Sequence, residues 1–353
     1  MARSTRSHPG WLPAAFLLLA ATPAAAQGVS TGGSWTLGGD AAGSSSGTPG
    51  SGYPPRYVSP SASHKSSNLE IGSLYAVSIG YGVGLGVWVD AEAGIEDPGI
   101  RLIPPSILGL AAPIGVYFLD QPAMPRGMPA AIAAGMAIGA GEGLGIASYQ
   151  FVTASDEDAW GFKGLARSVS IGATAGGVAG YALAVTQEPS PKTSLFLSSG
   201  VLWGTTIGSM FGYGASPADV DWGVANDSAS LGGLIGFNAG LAATAGLSLA
   251  MTPTYDQLGW MWAGGGIGAA ASLPVFLFYA GEDTPPAKRG FIFMGTATTL
   301  GVVAGGIFAS GTVDDLARND DGAPSPNRFA AITSVGPLAE PNALGISVGG
   351  VLF

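Results

Sequence analysis

The chain has 353 residues, of which only 10% are charged, with a formal net charge of -10. Soluble domains carry about 25% charged residues and about 7% glycine, whereas 59 residues here are glycine, so the polar surface of a water-soluble fold is missing. The acidic balance also excludes the clustered Lys and Arg that bind nucleic acid.

Residues 1–26 read as a secretory signal peptide, with Arg3 and Arg6 ahead of an apolar run from Trp11 to Ala21 and Ala24-Ala25-Ala26 before Gln27. The run is shorter than the roughly 20 residues of a spanning helix, which predicts export and cleavage rather than anchoring. The chain has no cysteine, so disulfides, lipid attachment at an N-terminal Cys and thiol chemistry are all excluded. Its two histidines are His8, in the signal peptide, and His64, in the linker after it. No imidazole is therefore placed to serve a nucleophile in a triad, and no Cys/His zinc site can form. The expectation is no catalytic residues, no metal and no cofactor, and a protein that is not an enzyme.

Residues 27–67 are rich in Gly, Ser and Pro, as in Gly43-Ser44-Ser45-Ser46-Gly47. Such a segment buries too little apolar surface to offset chain entropy and is predicted to be disordered. From 68 to 312 the character changes to that of a membrane-embedded repeat domain. Eight apolar stretches lie near 71–90, 102–119, 128–151, 166–185, 193–214, 230–251, 258–281 and 290–311. The breaks between them, such as Glu96-Asp97-Pro98-Gly99 and Asp120-Gln121-Pro122, hold Pro and most of the charges. Stretches of this length match a bilayer crossed by helices.

Small residues recur at every fourth position inside the stretches. One row is Ser168, Gly172, Gly176, Gly180 and Ala184; another is Gly200, Gly204, Gly208 and Gly212. Gly232, Gly236, Gly240, Thr244 and Ser248 form a third, and Ala131, Gly135, Gly139, Gly143 and Ala147 a fourth. Spacing of four places each row on one helical face. In lipid a smooth face lets backbones approach, so Gly172, Gly176, Gly180, Gly200, Gly204, Gly208, Gly232, Gly236 and Gly240 are expected to pack helices together. The partners expected are the lipid bilayer and, through such faces, a second copy of the chain. These glycine-zipper helices resemble those of Gram-negative envelope proteins.

A shift of 64 positions, without a gap, superposes residues 168–214 on the chain further on. It matches Gly172 to Gly236, Gly176 to Gly240, Leu183 to Leu247, Pro189 to Pro253 and Gly200 to Gly264. The reading is an all-α membrane fold of repeated hairpins. A transmembrane β-barrel is the alternative, because the odd positions from Tyr75 to Val89 are apolar while most even ones are Gly, Ala or Ser. The tail, 313–353, is expected to hold a short strand at Gly345–Phe353. Its C-terminal Phe resembles the closing strand of Gram-negative outer-membrane barrels, which implies an outer-membrane pore or adhesin.

Two polar residues fall inside stretches. Glu142, in Gly139-Ala140-Gly141-Glu142-Gly143, is a carboxylate at membrane depth and by default a functional candidate. With the run Gly80-Tyr81-Gly82-Val83-Gly84-Leu85-Gly86 it resembles the proton-carrying rings of rotary ATP synthases, which implies a proton or ion on Glu142. Asn238 is expected to hydrogen-bond across helices. The tail segment Asn319-Asp320-Asp321-Gly322 lacks the ligand spacing of a calcium loop and reads as a solvated turn.

With the N-terminus outside, the odd-numbered loops hold Arg101, Lys163, Arg167, Lys288 and Arg289, and the even ones only Arg126 and Lys192. That bias places the odd loops in the cytoplasm and the protein in the inner membrane of a bacterial envelope. The functional expectation is a structural or pore- and transport-like role without catalysis.

Overall fold

Each apolar stretch forms one helix in the computed structural model. The helices are α1 (Asn68–Ala93), α2 (Ile103–Leu119), α3 (Met128–Thr153), α4 (Gly161–Gln187), α5 (Pro191–Ala215), α6 (Asp227–Ser248), α7 (Tyr255–Ala280) and α8 (Arg289–Phe308). The structure describes residues 66–155, 157–217, 227–280, 288–312, 330–340 and 343–352. All of these fall in one unit, 65–353. The signal peptide, nearly all of 27–67, the 281–287 loop and the Asn319–Gly322 turn lie outside the described residues.

Local chemistry sets the helix ends. Ser67 caps α1 by accepting from the Glu70 N–H, and Glu70 in turn accepts from the Ser67 N–H, a reciprocal capping box. Gly94 ends the same helix in the left-handed region, at φ 63. Ser190 caps α5 ahead of Pro191, which supplies a helical φ and needs no donor.

Among the described residues seven of these helices are long and apolar enough to cross a membrane, α2 together with the 3-10 turn at Ile100–Leu102 that leads into it. The exception, α5, is interrupted by Ser198, Ser199, Thr205 and Thr206. Each of these hydroxyls donates to a carbonyl one turn back in its own helix, so it presents no unmet donor. From Asn68 to Phe308 the fold is all-α and of the membrane type.

The distribution of residue sizes is reversed from that of a soluble protein. The buried positions are held largely by small side chains, among them Ala131, Ala133, Ala147, Ala166, Ala173 and Ala184. Large apolar groups face outward, with Leu110 and Phe308 each 72% exposed. In water such a surface would aggregate; against acyl chains it costs nothing.

The small interior follows from how the helices pair: α1 with α2, α3 with α4, α5 with α6 and α7 with α8. Across the α3–α4 pair, a Cβ on Gly139 would fall on the Gly172 carbonyl, and one on Gly176 on the Gly135 carbonyl. Gly180 meets Ala131 and Gly143 meets Ser168 in the same way, so each step of four along one helix matches a step of four back along the other. The α5–α6 pair repeats the pattern with Gly200 against Gly240 and Thr244, Gly204 against Gly236, and Gly208 against Gly232. In α7–α8 Gly264 faces Gly301, Gly268 faces Ala297, and Gly305 faces Trp260. Gly135, Gly200 and Gly264 each lie against a glycine of the partner helix: Gly176, Gly240 and Gly301. The aligned segment 168–214 runs from α4 into α5, so it is offset by one helix from the pairs that pack most closely.

The β-barrel alternative is not supported. The alternation in α1 has a helical cause: its buried residues are Glu70, Leu74, Ser78, Gly82 and Gly86, one every fourth position. Any row spaced by four also occupies a single parity, and the length of the run decides between the two readings. Among the described residues the strands are β1 (Ala330–Glu340) and β2 (Ala343–Leu352), paired antiparallel in a two-stranded sheet. β1, which contains Gly336-Pro337, was not anticipated from the sequence.

Candidate functional site

The two polar residues singled out within the apolar stretches meet. In α3, Gly141 and Gly145 present no side chain toward α6, and a Cβ on either would come within 3.0 Å of the Phe237 ring or 3.1 Å of the Leu234 side chain. That close approach brings Asn238 against Glu142. The Asn238 amide donates to both carboxylate oxygens, at 3.1 and 3.2 Å, and to its own helix at the Leu234 carbonyl, at 3.0 Å. Glu142 lies roughly 21 Å along the axis from Met128 and roughly 16 Å from Thr153, near the middle of α3.

Glu142 also stands at the inner end of a groove between α3 and α4, with a volume of about 490 Å³. Ile146, Ile171, Gly143 and Gly172 give it an apolar floor, and Trp160, Lys163 and Arg167 lie toward its outer end. The volume is within the roughly 300–1,000 Å³ usual for ligand sites. Gly164 leaves room for Trp160 to lie over the first turn of α4, since a Cβ there would strike the Trp160 side chain.

The cationic end is organised from α1. Lys163 Nζ is 2.8 Å from Glu92 Oε2. Arg167 donates from Nε at 2.9 Å and from Nη2 to Glu92 Oε1, and Trp88 Nε1 donates to the same oxygen at 3.0 Å. Lys163 and Arg167 are four apart, as are Trp88 and Glu92, so each pair shares a helical face. That spacing was visible in the sequence; the meeting of α1 with α4 was not.

At the opposite end of the helices, Glu70 is 6% exposed and ties the start of α1 to the segment ahead of α3. Its Oε2 accepts from the Gly127 N–H at 2.7 Å, while Oε1 serves the α1 cap and lies 3.9 Å from Arg126 Nε. Gly127 has a φ of 83, and a Cβ on it would collide with the Pro189 carbonyl of the α4–α5 turn. Glu70 is a residue that sequence reading missed; only Ser67-x-x-Glu70, a capping signature, points to it. Among the described residues no three His, Cys, Asp or Glu side chains gather as metal ligands.

The helices and their outward apolar surface define the class, a helical integral membrane protein. No protein-family model, no curated protein and no solved structure matches the chain.

Proposed function

We propose that this is a bacterial cell-envelope protein with a pore- or transport-like role and no catalysis, in which Glu142 is the group that a passing ion or solute meets midway. The observation that carries this reading is a carboxylate near the middle of α3 that opens onto a groove reaching toward one end of the bundle. An ionisable group at that depth costs several kcal/mol and is by default a functional candidate. The excess of Lys and Arg in and beside the odd-numbered turns, including the helix ends that hold Lys163, Arg167 and Arg289, supports the inner membrane, with the groove entrance on the cytoplasmic side.

A structural reading has its own support: Asn238 holds both carboxylate oxygens, so the pair also clamps α3 to α6. Glu142→Gln separates the two, because the amide keeps the shape and an acceptor oxygen but loses the charge. The purified chain in liposomes loaded with ion- and pH-sensitive dyes should conduct above empty vesicles, and Glu142→Gln should abolish the difference at unchanged thermal stability. Flux equal to empty vesicles, or flux indifferent to the substitution, would refute the transport reading.

A further inference from the structure

We infer that the α3–α4 groove holds an anionic phospholipid, its phosphate on Lys163 and Arg167 and an acyl chain along the floor past Ile146 and Ile171. A groove on the lipid-facing surface of a membrane protein does not stay empty; chains or water fill it. Ile146 and Ile171 are 40% and 52% exposed, and the floor between them is glycine, so an acyl chain fits and water gains few partners there.

Charge then selects the headgroup. Two cations share a single carboxylate, Glu92, while Asp158, in the turn before Trp160, accepts from the Ser155 hydroxyl. Glu92 engages Arg167 through Nε and Nη2, leaving Nη1 of the guanidinium, and it takes one of the three ammonium donors of Lys163. The donors that remain are held in place by the carboxylate and suit a phosphate. Two further features favour an anion at this level. Trp160 begins α4 without a side-chain cap, so the positive end of a 27-residue helix points at the entrance. Trp160 and Lys163 are also the residue types that lie at headgroup depth, and basic pockets between membrane helices take anionic headgroups. The remaining charged group on the groove is Glu142, set at its inner end and engaged by Asn238 on α6. The inference does not depend on Glu142 carrying anything, and a lipid seated there closes the groove to ions, so the two readings use the groove in mutually exclusive ways.

Native mass spectrometry of the full chain, released from nanodiscs of equal phosphatidylglycerol and phosphatidylcholine content, tests it. Wild type should retain phosphatidylglycerol preferentially, and Lys163→Gln with Arg167→Gln should remove that preference, at roughly fivefold per cation. Glu92→Gln is the discriminating variant. It frees both cations, so retention of the anionic lipid should hold or rise. If the cluster is only a brace between α1 and α4, Glu92→Gln lowers retention together with the double variant, and the inference fails. Equal retention of the two lipids in wild type overturns it, as does displacement of the lipid by millimolar inorganic phosphate, which would point to a site for the free anion.

Discussion

Gly204→Ala places one methyl group where the α5 and α6 backbones touch. The new Cβ would lie inside the contact distance of the Gly236 carbonyl and 3.1 Å from the Gly240 Cα, and neither is the movable end of a side chain. The helices must therefore separate, and the neighbouring contacts at Gly200–Gly240 and Gly208–Gly232 loosen with them. Overpacking of this kind costs about 1–3 kcal/mol, set against a gain of up to about 1 kcal/mol from replacing a mid-helix glycine. The net should be a loss, and Gly204→Leu should lose more. Gly266, in α7, is the control: nothing lies within 4 Å of its Cβ position, so Gly266→Ala should be neutral or slightly stabilising. Thermal unfolding in detergent, followed by the helical circular dichroism band, reads both, at roughly 2–4 °C per kcal/mol. A Gly204→Ala melt at or above wild type, or an equal fall for Gly266→Ala, would refute the claim that these glycines are required by backbone contact.

Glu70→Ala leaves the Gly127 N–H and the first turn of α1 without their acceptor and should destabilise the chain by about 1–3 kcal/mol in the same melts. Gly127→Ala should do at least as much, since it adds strain at a φ of 83 to a collision with Pro189. Thr284→Cys, in a chain with no native cysteine, should resist a membrane-impermeant thiol reagent in cells whose outer membrane alone is permeabilised. Labelling there would invert the topology.

Much of the fold was legible because a bilayer imposes a simple rule. Backbone polar groups must be satisfied within the segment, so apolar runs of helical length become helices. The runs near 128–151 and 193–214 became α3 and α5 with ends displaced by at most two residues. Glu142 and Asn238 were legible individually for the same reason, as polar groups that lipid does not tolerate without a use. Their contact was not legible, since it depends on Gly141 and Gly145 admitting α6. The Glu92 cluster was hidden likewise: Lys163 and Arg167 read as loop charges until α1 lies against α4.

By itself the sequence determined the class of the protein, the number and approximate place of its helices and, in α3 to α6, which face is smooth, because these follow from length, composition and a spacing of four. Only the tertiary structure decided which smooth face meets which, that the pairs run α1–α2 through α7–α8, and that the α3–α4 groove joins a carboxylate to two cations. A smooth glycine face admits many partners, and the choice among them comes from short turns and from backbone fit, neither of which a spacing pattern contains.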